Sequence, residues 1–221
     1  MIEYLKAQNR TNEVIVGGNF NADELHRFSK ADFRWADNRN KKFQYRTVNK
    51  GEIYQFEFGK NYIPEMSYEH RGMIIGVKKK LLYVLPIFTY DPNKHPDVYH
   101  QVDFPDSKSD VYLLKNTEFP FIKHDSVLKL NDMRTVSINR ILYQHNGRID
   151  PDSDTYKLIE TVVLKKYFPV FYHEFESDKK SIDTLKEQIA TLKDEKKQLQ
   201  EEIELLKAME KANEKLEEQD N

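Results

Sequence analysis

The stretch Ser126 to Ile141 reads SVLKLNDMRTVSINRI and carries two arginines, Arg134 and Arg140, in a pattern that otherwise suits a buried strand. A guanidinium stays protonated at physiological pH and offers paired donors to a carboxylate or a phosphate. Two of them six residues apart either tie a core together or meet a polyanion. Other chemistries find little footing. The chain has no cysteine, which removes disulfides, thiolate metal sites and thiol nucleophiles. It holds no glycine-rich phosphate loop, no HExxH helix and no nucleophile elbow. Asp150, Asp152 and Asp154 imitate the opening of a calcium loop, yet the sixth place lacks glycine and Thr161 stands where the bidentate glutamate belongs. They read as residues that cap a helix. His95, His100, Asp103, His124 and Asp125 are irregularly spaced in predicted loops, so no metal and no cofactor is expected.

Charge is unevenly distributed. The net charge is −2, but Glu174 to Asn221 contains 15 acids against 9 bases and so leaves residues 1–173 at +4. Arg27, Lys30, Arg34, Arg39, Lys41, Lys42, Arg46 and Lys50 crowd one short stretch against only Asp32 and Asp37. A basic front before an acidic tail is the asymmetry of a protein that meets a polyanion with one part. The opening MIEYLKAQNRTNEV holds two acids and soon turns polar, so it reads as neither a secretory signal nor an anchor. No apolar run nears the roughly 18 residues of a spanning helix. A cytoplasmic protein with no membrane partner is expected.

Three segments must position these residues. In residues 1–48, Asn21 is placed to cap a helix with Ala22, Leu25 and Phe28 on its apolar face, continuing toward Phe33 and Trp35. Two readings of its basic side are open: a path for a nucleic-acid backbone, with aromatic faces for bases, or a solvated rim on a packed helix. In residues 49–173, YQFEF, GMIIGV, LLYVLPIF, VYLL, VLKL and the run from Val136 to Tyr143 give about six strands and suggest a small barrel. Asp150-Pro151-Asp152-Ser153 then opens a helix packed through Tyr156, Ile159 and Val163, ending near Tyr167. In residues 177–216, Ile182, Leu185, Ile189, Leu192, Lys196, Leu199, Ile203 and Leu206 are spaced as four heptads. Isoleucine at a and leucine at d favour a parallel dimer, and parallel packing lets Glu202 meet Lys207 of a second copy.

The order of these pieces resembles the MazF/PemK-type toxin family. Ser126-Val127-Leu128, then Met133-Arg134-Thr135-Val136, then Arg140-Ile141 resembles one family segment. Lys50-Gly51-Glu52-Ile53-Tyr54, closed by Gly59, looks like the family's first strand. Glu69-His70-Arg71 before MIIGV resembles its arginine ahead of a valine-rich strand. LPIFT resembles the strand after that, and Gly147 with the following helix matches the family's close. The resemblance covers about residues 49–168 and leaves both extensions outside.

It implies a dimeric SH3-like β-barrel, of the MazF/PemK/CcdB type, and with the heptads a homodimer through the barrel and the parallel coiled coil is expected. It also implies an endoribonuclease, similar to a ribosome-independent mRNA interferase, that cuts single-stranded RNA without a metal and is held silent by a cognate antitoxin. The family's catalytic arginine falls on Arg71, and its threonine on Phe88 or Thr89, depending on a one-residue shift; Thr89 carries the hydroxyl. His70 is a candidate general base. Lys60, Tyr90 and Lys94 are expected RNA contacts, as are Arg39, Lys41, Lys42 and Arg46. Arg134 and Arg140 are expected to be scaffold arginines, with Glu52 and Asp132 as buried partners. Gly72 stands where the family prefers proline. Two other readings are weighed: a CcdB-like barrel that inhibits gyrase, and a silent module that recruits a partner through its coiled coil.

Overall fold

The computed structural model describes the chain except residues 19, 40–46, 64 and 218–221, with side chains described up to residue 207. It divides into two compact units, Met1–Tyr167 and Phe168–Asn221.

The first unit opens with two helices, α1 (Ile2–Gly17) and α2 (Ala22–Arg39). Strands β1 (Glu52–Glu57), β2 (Glu69–Lys78), β3 (Leu81–Thr89), β4 (Val111–Leu114), β5 (Ser126–Lys129), β6 (Arg134–Ser137) and β7 (Ile141–Arg148) follow, before helix α3 (Asp154–Tyr167). The strands form one open antiparallel sheet in the order β4-β5-β3-β2-β1-β7, with β6 also on β3. The long strand β3 serves two partners on one side. Leu81–Val84 pair with β6, and Ile87–Thr89 pair with β5. Pro86, which has no N–H to donate, falls in the gap between them.

Both sheet faces are buried, which is why the strands read as short continuous apolar runs and not as clean alternation. On one face Ile53, Met73, Leu85, Ile87 and Leu128 pack against Tyr156, Ile159 and Val163 of α3. On the other, Tyr54, Phe56, Ile74, Leu82 and Val84 pack with Val136 and Ile138. Gly72 is explained by this packing. A Cβ there would lie 2.3 Å from Val84 Cγ1 and 3.1 Å from the Phe56 ring, so neither proline nor alanine fits between them.

Helix α3 begins at Asp154, later than expected from the aspartates. Ser153 is its cap, its Oγ accepting from Tyr156 N at 3.2 Å, while Asp150 closes the preceding turn by accepting from Asp152 N at 3.0 Å. Helix α2 has the expected cap in reciprocal form: Glu24 N donates to Asn21 Oδ1 at 2.9 Å and Asn21 N to Glu24 Oε2 at 3.1 Å. Its docking differs from expectation. Leu25, Phe33 and Trp35 are exposed, and Ala31 is its one buried residue. The helix is held instead by Lys30–Glu69 (3.1 Å), Arg34–Glu57 (2.9 Å), Arg34–Glu69 (2.7 Å) and Lys60–Asp32 (2.6 Å). Short-range charge does here what an apolar face does elsewhere.

The second unit is one helix, α4 (Pro169–Glu217), of 49 residues. Its heptad residues Ile182, Leu185, Ile189, Leu192, Leu199, Ile203 and Leu206 are each at least half exposed in the single chain. Among the described residues no helix is long and apolar enough to cross a membrane.

Candidate active site

On the face of the sheet that carries α3, the apolar surface gives way to polar side chains toward one end of the strands. Arg71 on β2 pairs with Gln55 on β1, and Gln55 pairs in turn with Tyr143 on β7, so the three share a face. Arg71 Nη2 lies 3.5 Å from Thr89 Oγ1 and 3.5 Å from Ser126 Oγ, two long contacts that leave its donors free for a stronger acceptor. Ser126 is fully buried and donates its own proton to His124 O at 3.0 Å. His145, two residues beyond Tyr143, hydrogen-bonds Gln55 Oε1 through Nε2 at 3.0 Å, and its ring lies 5.2 Å from that of Tyr143.

The electrostatics of this cluster are distinctive. Arg71 is half-buried, and among the described residues it has no carboxylate within ion-pairing distance. Burial lowers its pKa, and only the Tyr143 phenol acts in the opposite direction. A partly desolvated cation without an anion is costly, and an incoming phosphate or carboxylate would relieve that cost. His145 is also held below its ordinary pKa, first by burial and then by the charge of Arg71. It is therefore neutral near pH 7. With Nε2–H donating to Gln55, Nδ1 is left as an acceptor.

The structure separates several residues that the sequence placed together. His70 is adjacent to Arg71 in the chain, but successive strand side chains point to opposite faces. Its ring meets Phe88 at 5.5 Å on the far face, where burial, then Arg27, lowers its pKa. His70 is not on the face that carries Arg71; His145 is. The same alternation parts Phe88 from Thr89: Phe88 turns toward His70 and His95, while the Thr89 hydroxyl sits beside Arg71.

Among the expected RNA contacts, Tyr90 follows Thr89 and stacks on His95 at 6.4 Å, and Lys94 is exposed, 3.8 Å from Asp91. Lys60 lies 3.8 Å above the Phe28 ring, and Arg39 5.2 Å from the centre of the Trp35 ring. Both line a cleft that contains none of Arg71, Thr89 or His145. Lys41, Lys42 and Arg46 lie outside the described residues.

Arg134 and Arg140 occupy tying positions. Arg134 Nε donates to Asp132 Oδ1 at 2.8 Å and Nη1 to Glu65 Oε2 at 3.3 Å, while Asp132 Oδ2 accepts from Met66 N at 3.1 Å. Together they fasten the segment after β1 to the start of β6. Glu52, expected beside them, instead accepts from Asn49 and Tyr54, and those bonds hold its pKa below the usual carboxylate value against the effect of burial. Arg140 Nη1 donates to Glu57 O at 2.9 Å. His100, one of the irregular histidines, is buried between Asp103 (3.0 Å) and Glu118 (3.1 Å). No group of three or more metal-ligating side chains converges among the described residues.

Gln55, Ser126, Tyr143 and His145 were not singled out from the sequence. Gln55 and Glu57 break the apolar run of β1 at alternate positions, which signals a polar strip. The partner of Gln55 on β7, His145, lies 90 residues away, and only the strand register reveals it. A scan against protein-family models finds no match, and a search of curated proteins finds none either.

Proposed function

We propose that the protein is an endoribonuclease that cleaves single-stranded RNA, built on an SH3-like sheet of the MazF/PemK kind and acting as the toxin of a toxin–antitoxin pair. The observation that carries this reading is the half-buried guanidinium of Arg71, without a carboxylate at ion-pairing distance among the described residues, with the Thr89 and Ser126 hydroxyls and the His145 imidazole around it. In the reaction, His145 Nδ1 takes the proton of a ribose 2′-hydroxyl. The 2′-oxygen forms a bond to the adjacent phosphorus as the bond from phosphorus to the 5′-oxygen breaks. The leaving oxygen takes a proton from the Tyr143 phenol or from water, and the products are a 2′,3′-cyclic phosphate and a 5′-hydroxyl end. Arg71 stabilises the charge that builds on the phosphoryl oxygens, and Thr89 positions the phosphate.

This assignment of roles fixes a pH profile. A base with a depressed pKa is active once deprotonated, so the rate should climb from acid pH to a plateau. Its midpoint should lie below the roughly 6.5 of a free histidine. The acid limb should vanish in His145→Gln. In Arg71→Gln the imidazole, followed by NMR, should titrate at higher pH, because a cation has been removed from its surroundings. A midpoint above that of free histidine would reject His145 as the base.

The exposed heptad stripe of α4 supports a parallel coiled-coil homodimer. Ile189→Asp in the full chain should convert a sedimenting dimer into a monomer at micromolar concentration. An unchanged mass would assign the association to the sheet domain. The functional reading is tested in cells: induced expression should arrest growth and fragment messenger RNA, and Arg71→Gln should abolish both effects. Arrest with intact RNA would favour a gyrase-type target, and no arrest would leave an interaction protein.

A further inference from the structure

A polar cleft of about 440 Å³ opens where α2 crosses the end of β1 and the turn before β7. Four cations, Arg34, Arg39, Lys60 and Arg140, line it against two carboxylates, Asp32 and Glu57. Arg34 and Lys60 are neutralised by Glu57, Glu69 and Asp32. Arg39 and Arg140 form no ion pair among the described residues. Arg140 is half-buried and spends one donor on Glu57 O, 2.9 Å away, and keeps its remaining donors. Space for it is provided by Gly59, at φ +88°, where any Cβ would approach Arg140 Nη1 to 3.0 Å. Trp35 presents its indole to the same cleft and is 60% exposed, an uncommon position for the largest aromatic side chain. Asn38 and Asn139 add amide donors and acceptors at the rim.

We propose that this cleft binds a nucleoside phosphate unit, the phosphate on Arg140 and Arg39 and the base stacked on Trp35. An unpaired guanidinium in a fixed position is suited to two phosphate oxygens, an exposed indole to any base, and side-chain amides to the edge of one. A bare anion would make no use of Trp35, and an apolar ligand would bury two uncompensated cations. The unit is either a free nucleotide or one residue of a single strand. The site stands apart from the Arg71 cluster and does not need the nuclease reading.

Trp35 is the one tryptophan of the chain and lines both this cleft and a neighbouring one beside Tyr4, Phe28 and Phe33, so quenching is assigned to this cleft by the arginine variants below. A nucleoside 5′-monophosphate titrated into the full-length protein should quench it, the nucleoside without phosphate should need at least about tenfold more, and inorganic phosphate should not quench. Arg140→Gln and, separately, Arg39→Gln should each weaken the monophosphate by roughly tenfold, and Arg140→Gln, which unlike Arg39→Gln removes no contact with the Trp35 ring, should leave the response to the nucleoside unchanged. Arg39 is exposed at a helix end, so its variant stays informative if Arg140→Gln misfolds. Arg71→Gln should quench as the parent does, which keeps this result distinct from loss of cleavage. A short oligoribonucleotide that displaces the monophosphate would identify an RNA residue as the natural occupant, and one that does not would identify a free nucleotide. No quenching by the monophosphate, or quenching indifferent to both arginine variants, would overturn the proposal.

Discussion

Arg71→Gln should lower RNA cleavage by about 10²–10³-fold while leaving the thermal transition in place or slightly higher. The size follows from the role: a preorganised donor aimed at developing charge in a partly desolvated site loses most of its effect when it becomes neutral. The direction of the stability change follows from the absence of a paired carboxylate among the described residues. Nothing anionic is orphaned by removing this cation, whose two long contacts, at 3.5 Å to Thr89 and Ser126, contribute little. A variant that both unfolds and loses activity would mean that Arg71 is a structural residue. Lysine at this position should recover only a small part of the rate, because a point charge cannot engage two phosphoryl oxygens in one plane.

Arg134→Ala should show the opposite pattern. Asp132 and Arg134 are about nine-tenths and four-fifths buried, and the aspartate also holds the Met66 amide. Truncating the arginine leaves that carboxylate with the more distant Lys129, at 3.7 Å, as its remaining cation among the described residues. The expected loss is about 3 kcal/mol, which lowers the melting temperature by roughly 6–12 °C for a unit of this size. Specific activity per folded molecule should stay within about threefold of the parent, since removing a tie remote from the reacting atoms leaves the catalytic donors in place. Calorimetry beside a cleavage assay checks both halves. A stable but inactive Arg134→Ala would place that arginine on the substrate.

Much of the framework was legible in the residues. The runs YQFEF, GMIIGV, LLYVLPIF and VYLL became β1 to β4 because β-branched and aromatic residues in short blocks suit a sheet covered on both faces. The heptads became part of one long helix, and Asn21 capped α2 as its type and spacing required. The division of labour among arginines was only partly visible. That Arg134 ties to Asp132 could be guessed from two residues of separation; that Glu52 serves Asn49 and Tyr54 could not.

The site itself was harder to read, for two physical reasons. Strand alternation sends neighbours in sequence to opposite faces, so His70 looked like a partner of Arg71 and is not. Register brings distant residues together, so His145 and Tyr143 came to Gln55 with no local signal. Helix α2 misled differently. Its aromatic residues suggested a packing face, yet Phe33 and Trp35 stay in solvent because Lys30 and Arg34 find Glu57 and Glu69 at the end of the β1–β2 hairpin. Helix α1 was not singled out in the sequence, and none of its residues is buried.

The most direct test is to incubate the purified protein with a long unstructured RNA in excess EDTA and to determine the chemistry of the new ends. The expected products are fragments with 2′,3′-cyclic phosphate and 5′-hydroxyl termini, formed by the parent protein and lost in Arg71→Gln. Intact RNA, 5′-phosphate ends, or equal cutting by the Arg71→Gln protein would contradict it.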